Sequence, residues 1–302
     1  MSKLFARIGV PALALLALAG CGSSSSSSSS TTTTTTAATA GNTIDASVAA
    51  KVPAAIKSKG TLAVAADASY APNEFISSDG HTVIGMDADL MKALGEVMGL
   101  KVSVVNAKFE TIIPGLAAGK YDVGASSFTD TREREKTVDF VDYFSAGISF
   151  YAKSASPPPV KTVADLCGRS VSVEKGTTEQ EEATAQGKKC TSGGKKAVTV
   201  LVYPDQNGAN LAISTGRAEL GMADSPVAAY QVKQSGGAFA LIGETYGAAP
   251  YGLAVPKASG MTTPLLAALK IVISNGVYKQ ILTKWGVQAG AISTPVLNGA
   301  KS

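Results

Sequence analysis

From Val48 onward, short apolar and β-branched runs alternate with longer amphipathic runs. The runs at 61–65 and 101–106 are typical of strands. Between them, in 87–98, apolar residues recur once per helical turn until Gly99, which predicts a helix ending at that glycine. A short helix at 111–118 and a strand at 121–125 follow. Alternation of this kind predicts βαβ units and a mainly parallel sheet.

The alternation breaks at 153–161, which contains three consecutive prolines, and then begins again. The pattern predicts strands at 170–174, 198–203, 220–223, 240–242 and 251–255, and helices at 178–186, 207–215, from Ser225-Pro226, at 265–274 and at 277–285. We therefore expect two α/β lobes. Lobe 1 comprises 48–149 and 251–302, lobe 2 comprises 150–250, and crossings around 147–152 and 247–254 form a two-segment hinge.

The first residues do not have the pattern of a folded domain. Residues 1–20 begin with Lys3 and Arg7 and continue into an apolar run of about ten residues, which predicts a secretory signal too short to span a bilayer. Leu18-Ala19-Gly20-Cys21 resembles the lipobox of bacterial lipoproteins, in which the cysteine carries the lipid. Residues 21–47 are rich in Ser and Thr and predict a flexible tether.

Composition removes several classes of function. The net charge is +4 and the charged residues are scattered, so no basic stripe indicates nucleic-acid binding. His81 is the single histidine and no Cys-x-x-Cys pair occurs, so we expect no metal. In an exported protein the remaining cysteines, Cys167 and Cys190, are expected to form a disulfide; two free buried thiols are the alternative.

Five segments in order carry a family resemblance. Gly85-Met86-Asp87-Ala88-Asp89-Leu90 resembles the signature of family 3 bacterial extracellular solute-binding proteins, the polar amino-acid receptors of ABC importers. Segments 67–75, 126–134, 173–178 and 216–224 agree with the same family. The resemblance implies a two-lobe periplasmic-binding-protein-like fold of type II, with each lobe a mainly parallel sheet flanked by helices.

The resemblance also implies a site for a zwitterion. Arg134 is the expected fork for the ligand carboxylate, because guanidinium binds carboxylate in a planar, bidentate way. Asp224 is the expected partner of the ammonium group. The other implied ligand-binding residues are Asp67 at the far end of the ligand, Tyr70 and Phe109 around its side chain, Ser127 and Thr129 as further donors, and Thr177 and Thr178 at a helix N-terminus.

Other interpretations of these residues stay open. Arg134 lies in the charged run 132–136, and such runs are usually solvated, as we expect for Arg132. Thr177, Thr178 and Asp224 could simply cap helices, and the aromatic residues could belong to the core. Glu174 is a possible specificity residue, because two acids near the ligand side chain favour a cationic or amide group.

The expected function is capture of a free amino acid at the outer face of the membrane and delivery to ABC permease subunits. We expect a lipid-anchored, monomeric receptor without cofactor or catalysis. One alternative is an enzyme resembling cyclohexadienyl dehydratase, which shares the fold. Another is a sensor that reports the ligand to a membrane receptor.

Overall fold

The computed structural model describes residues 42–301. The predicted signal, Cys21 and most of the predicted tether therefore lie outside the described residues. Helix α1 (Ala46–Lys51) begins within the segment 21–47, and the Asp45 side chain caps it by accepting the N–H of Ser47 at 2.9 Å. The Asn42 side chain donates to the Ala93 carbonyl at 3.3 Å. The last residues of that segment thus pack on the domain instead of extending the tether.

Helices and strands alternate along the described chain as the periodicity predicts. The remaining helices are α2 (Ala54–Lys59), α3 (Met86–Met98), α4 (Phe109–Ala117), α5 (Arg132–Glu135), α6 (Thr178–Ser192), α7 (Gln206–Ser214), α8 (Ser225–Gln234), α9 (Thr262–Ser274) and α10 (Val277–Trp285). The strands are β1 (Thr61–Ala66), β2 (Ser69–Tyr70), β3 (Glu74–Ile76), β4 (Val83–Ile84), β5 (Lys101–Asn106), β6 (Val123–Gly124), β7 (Val138–Lys153), β8 (Ser170–Glu174), β9 (Thr199–Tyr203), β10 (Leu220–Asp224) and β11 (Phe239–Pro256).

Eight strands form one continuous sheet in the order β5-β1-β6-β11-β7-β10-β8-β9. Strands β5, β1 and β6 are parallel to each other, and so are β10, β8 and β9. The two parallel sets are joined by β7 and β11, which run antiparallel to each other through both halves of the sheet. This is the two-lobe fold that the resemblance implies.

The two long strands differ from the sequence prediction. The strands predicted at 240–242 and 251–255 are parts of β11, and β7 was not predicted. Most of β7 is buried on both faces, so its residues show no polar alternation. Pairing between β7 and β11 shifts register between Ile242 and Tyr246 and again before Ala249. These irregularities lie close to the predicted hinge crossings.

Each lobe has its own apolar core. In lobe 1, helices α3, α9 and α10 bury leucines such as Leu94, Leu269 and Leu282 at 1% exposure or less. In lobe 2, Phe150, Leu220 and neighbouring residues are equally buried. Burial of one such side chain stabilises the fold by about 1.5–3 kcal/mol.

No single helix within residues 42–301 has the length and hydropathy to span a membrane, although the bent pair α9 and α10 together meets both criteria.

The structure joins the two cysteines of lobe 2 by a disulfide. Cys167 and Cys190 lie with their Cα atoms 5.6 Å apart and are separated by 23 residues in the sequence. Closing a loop of this length stabilises a fold by roughly 3 kcal/mol in the chain-entropy model. Because Cys190 lies in α6, the bond attaches the C-terminal half of this helix to the rest of lobe 2.

Candidate functional site

One cavity between the lobes contains every ligand-binding residue that the sequence predicts. The side chains around it leave about 280 Å³ of space between their atoms, part of which is open to solvent. Lobe 1 contributes Asp67, Tyr70, Phe109, Ser127, Thr129 and Arg134, and lobe 2 contributes Glu174, Thr177, Thr178 and Asp224. Ser126 and Glu179 complete the lining and were not predicted.

Strand ends place the acidic side chains around this cavity. Asp67 directly follows β1, Glu174 is the last residue of β8, and Asp224 is the last residue of β10. The carboxyl ends of parallel strands open into the crevice where α/β proteins bind ligands. The local sequence therefore brings polar groups from both lobes to one cleft.

The family signature supports the loop that carries the serines. Ser127 has a positive φ of 49°, which is unusual for a residue other than glycine. Its N–H donates to the Asp87 carboxylate at 2.7 Å, and the hydroxyl of Tyr143 donates to the same carboxylate at 2.7 Å. At Gly85 a Cβ atom would lie 2.1 Å from the carbonyl oxygen of Asn73, so only glycine fits there. These residues fix the position of the loop that carries Ser126 and Ser127.

The serine hydroxyls also face this supporting layer. Ser126 donates to Glu74 at 3.0 Å, and the Ser127 hydroxyl lies 3.3 Å from Glu74 and 3.2 Å from Asp87. Burial and the nearby Asp87 charge raise the pKa of Glu74 well above its usual value. Ser127 thus has both its N–H and its hydroxyl in contact with acids of lobe 1 while it lines the cavity, and its donation to a ligand stays a prediction.

Arg134 leaves the charged run and enters the cavity. It lies in the single turn of α5, whose N-cap Thr131 accepts the Arg134 N–H. The guanidinium carbon lies 5.4 Å from the ring centre of Phe109 and 5.5 Å from that of Phe128, and the two rings stack on each other. Arg132, two residues earlier, is exposed. The surface interpretation therefore fits Arg132 and not Arg134.

The guanidinium connects the two lobes. It donates to the Thr129 carbonyl at 2.8 Å and to the Gly176 carbonyl at 3.0 Å. Burial lowers the pKa of Arg134, although nearby acids oppose this shift. No carboxylate of residues 42–301 forms a salt bridge with it. A guanidinium has five N–H donors, so donors remain for an anion that enters the cavity.

The α6 N-terminus makes the capping contacts that the sequence left as an alternative. The Thr177 hydroxyl accepts the N–H of Gln180 at 3.2 Å and donates to the Glu174 carbonyl at 2.8 Å. The Thr178 hydroxyl lies 3.3 Å from a carboxylate oxygen of Glu179. The anion-binding role of this helix end stays a prediction.

Asp224 forms a contact between the lobes. Its carboxylate accepts the Tyr70 hydroxyl at 2.9 Å, and its N–H donates to the same hydroxyl oxygen at 3.1 Å. Helix α8 begins at Ser225, as the sequence predicts, and Asp224 stands at its N-cap position. The Asp224 side chain makes no capping hydrogen bond, so the capping alternative does not describe its contacts. Burial raises the pKa of Asp224 to about 6. Its carboxylate thus faces the cavity.

Further carboxyl groups make the cavity acidic. Asp67 accepts the N–H groups of Ser69 and Phe109, both at 3.0 Å. One carboxylate oxygen each of Glu174 and Glu179 is buried without a hydrogen-bond partner in the described part of the chain. Burial, followed by the neighbouring acids, raises the pKa of Glu174 well above its usual value. In residues 42–301 no group of three or more His, Cys, Asp or Glu side chains has an arrangement that could hold a metal ion.

These shifts predict how stability depends on pH. Burial raises the pKa of Asp224 to about 6 and that of Glu179 to about 8, so both bind protons more tightly than in the unfolded chain. The folded protein therefore carries more protons than the unfolded chain between about pH 4 and pH 8. We expect the thermal unfolding midpoint of the ligand-free protein to fall as pH rises through this window. A midpoint that rises through it would contradict the charge assignment, and Glu179→Gln should flatten the dependence.

The fold and the cavity define a two-lobe solute-binding protein, and comparison with known proteins gives the family. The model of the bacterial extracellular solute-binding proteins, family 3, matches residues 62–288, and the chain belongs to this family. Family members act outside the cytoplasm, bind free amino acids and deliver them to ABC transporters.

Individual relatives are consistent with this assignment. The chain is 35% identical to the arginine-binding protein ArgT of Corynebacterium glutamicum over 83% of this chain and 82% of the relative. It is 33% identical to an L-arginine-binding protein of Pseudomonas aeruginosa over 72% and 85%. Among solved structures, an ancestral arginine-binding protein bound to arginine is similar with a TM-score of 0.68 and 34% identity, covering 75% of this chain and 98% of that one. These relatives are binding proteins, as the sequence predicted, and not enzymes.

Proposed function

We propose that this protein is the receptor of an ABC importer for amino acids with a cationic side chain, with arginine as the foremost ligand. The charge balance of the cavity carries the proposal. One guanidinium, from Arg134, faces the carboxyl groups of Asp67, Glu174, Glu179 and Asp224. A neutral zwitterion leaves this excess of acid unchanged, whereas a ligand with an additional positive charge compensates part of it.

In this proposal each end of the ligand has its own partners. Arg134 binds the α-carboxylate and Asp224 binds the α-ammonium group. The side chain extends between Tyr70 and Phe109 towards Asp67 and Glu174. The unpartnered oxygen of Glu174 supports this direction, because a guanidinium or ammonium group would satisfy it. The names of the arginine-binding relatives favour the same ligand.

The cellular setting belongs to the same proposal. The signal at 1–20 and the lipobox-like Cys21 support attachment of the receptor to the outer face of the membrane, with residues 22–41 as the tether. A tether of Ser and Thr lets the domain move relative to the membrane while keeping it near the permease.

A calorimetric comparison of arginine with citrulline tests the ligand class most sharply. Citrulline has nearly the same shape but a neutral end. We expect arginine to bind at least about tenfold more tightly than citrulline, which corresponds to about 1.4 kcal/mol. Lysine should also bind, and glutamate should not, because its side chain would meet Glu174 and Asp67. Arginine at about 100 times its Kd should raise the free energy of unfolding by about 2.7 kcal/mol.

Equal affinity for arginine and citrulline would refute the preference for a cationic side chain, but the protein could still be a receptor for amino acids. A Glu174→Gln variant tests the residue at this end of the ligand. It should reduce the preference for arginine over citrulline while keeping the shape of the cavity. Absence of binding by every common amino acid would refute the receptor function itself.

A further inference from the structure

Glu179 is buried, although its position in the helix does not require burial. It lies in the first turn of α6, where the helix dipole stabilises an acidic side chain even when that side chain is exposed to solvent. Glu181, two residues further along α6, is exposed, whereas Glu179 is only 2% exposed and lines the cavity. Its Oε1 atom is buried and has no hydrogen-bond partner among the described residues. An unpaired buried carboxylate oxygen is unfavourable, so this group points to a ligand donor.

The neighbours of Glu179 show which end of the ligand it would meet. After burial, the charge of Asp224 is the main cause that raises the pKa of Glu179 to about 8, and Arg134 acts in the opposite direction. Burial first, and the charge of Glu179 in addition, raise the pKa of four groups that belong to other elements: Tyr70, Tyr151, Glu174 and Tyr246. Glu179 and Asp224 thus line the same cavity from lobe 2 and act on each other as like charges, and Asp224 is the acid to which we assign the ammonium group.

We propose that Glu179 is a specificity-determining residue that forms, with Asp224, a two-carboxylate subsite for the α-ammonium group of the ligand. In the ligand-free protein the two carboxyl groups share a proton, and the arriving ammonium group displaces it into the solvent. The inference rests on the proposed function, because it requires a ligand with an α-amino group. The ammonium group keeps its three N–H donors and gives one to each carboxylate.

Two consequences follow from this subsite. Binding releases a proton, so the affinity for the ligand rises with pH, by up to about tenfold per pH unit for each proton released. The window lies between the pKa of Asp224, about 6, and that of Glu179, about 8. A ligand that lacks the α-amino group leaves the pair unsatisfied and protonated, and therefore binds more weakly.

Calorimetry on the unmodified protein tests the proton directly. Arginine and δ-guanidinovaleric acid, which lacks only the α-amino group, are titrated at about pH 7 in buffers with different ionisation enthalpies. The slope of the observed enthalpy against buffer enthalpy gives the protons released. We expect close to one proton for arginine and none for the analogue. Equal proton release for the two ligands would overturn the inference without any variant.

A charge-neutral variant assigns the effect to Glu179. In Glu179→Gln we expect proton release to disappear and the preference for arginine over δ-guanidinovaleric acid to fall about tenfold. The preference for arginine over citrulline, which depends mainly on Asp67 and Glu174 at the other end of the ligand, should persist. Glu96→Gln removes a charge from an exposed position of α3, outside the cavity lining, and should behave like the unmodified protein.

The outcomes separate this inference from the proposed function. If Glu179→Gln keeps the proton release and the preference for the amino group while the unmodified protein binds arginine, the subsite is refuted and the receptor function stands. If the unmodified protein binds no amino acid, the proposed function fails first. Thermal unfolding confirms that each variant is folded, and the two-ligand comparison on the unmodified protein decides the inference if the Gln variant does not fold.

Discussion

Replacement of Arg134 by alanine should abolish measurable amino-acid binding. The cavity would lose its one guanidinium, and the ligand carboxylate would be buried without a charged partner. Loss of one member of a buried ion pair costs about 3–5 kcal/mol, which corresponds to a loss of affinity between about a hundredfold and several thousandfold. Isothermal titration with arginine measures it. Arg134→Lys should fall between the two proteins, because it keeps the charge and loses the bidentate geometry.

Arg132 provides the matched control in the same turn. It is exposed and lies outside the cavity lining, so Arg132→Ala should change the affinity by no more than about 0.5 kcal/mol. If Arg134→Ala binds arginine as tightly as the unmodified protein does, the assignment of the carboxylate subsite is wrong. Loss of arginine binding in both Arg132→Ala and Arg134→Ala would indicate that the variants do not fold.

The Asp224→Asn variant should separate binding from stability. Asparagine has nearly the same shape and can still accept the Tyr70 hydroxyl, but it lacks the charge that the ammonium group requires. We expect the affinity for arginine to fall by at least about a hundredfold. The ligand-free variant should unfold at the same or a higher temperature than the unmodified protein at neutral pH, because burial makes the Asp224 charge unfavourable there and raises its pKa to about 6.

Glu219 lies at the opposite end of β10 and supplies the control for this change. Its carboxylate forms a partly exposed salt bridge with Arg169 at 2.9 Å, far along the strand from the cavity lining. Glu219→Gln should bind arginine normally. Tight binding by Asp224→Asn, with a Kd near that of Glu219→Gln, would rule out Asp224 as the ammonium partner.

The sequence predicted the alternation of the fold better than its junctions. Strands 101–106 and 170–174 and helix 277–285 agree with β5, β8 and α10 because their apolar periodicity is strong and their ends carry clear signals. Strand β7 escaped prediction since it is buried on both faces. Strand β11 was divided because glycines and Pro250 interrupt its apolar pattern. Pairing across the sheet, which no local pattern records, makes each of them one strand.

For the site, some residue roles could be predicted from the family motif, and others only from the three-dimensional structure. The charged run around Arg134 predicts a surface by itself; the family motif supplied the inward assignment, and the stacked Phe109 and Phe128 rings explain it. Glu179 could not be singled out from the sequence, because an acid after Thr178 is equally suited to an exposed first turn. Only the packing of α6 against the cleft shows that this carboxyl group is buried.

Several contacts between protein atoms join the two lobes across the cleft. The Tyr70 hydroxyl meets Asp224, the Arg134 guanidinium meets the Gly176 carbonyl, and Lys175 lies 3.3 Å from a carboxylate oxygen of Glu110. Each of these contacts joins residues of different lobes. A substitution at Tyr70 or Arg134 therefore changes the closure of the lobes as well as the lining of the cavity.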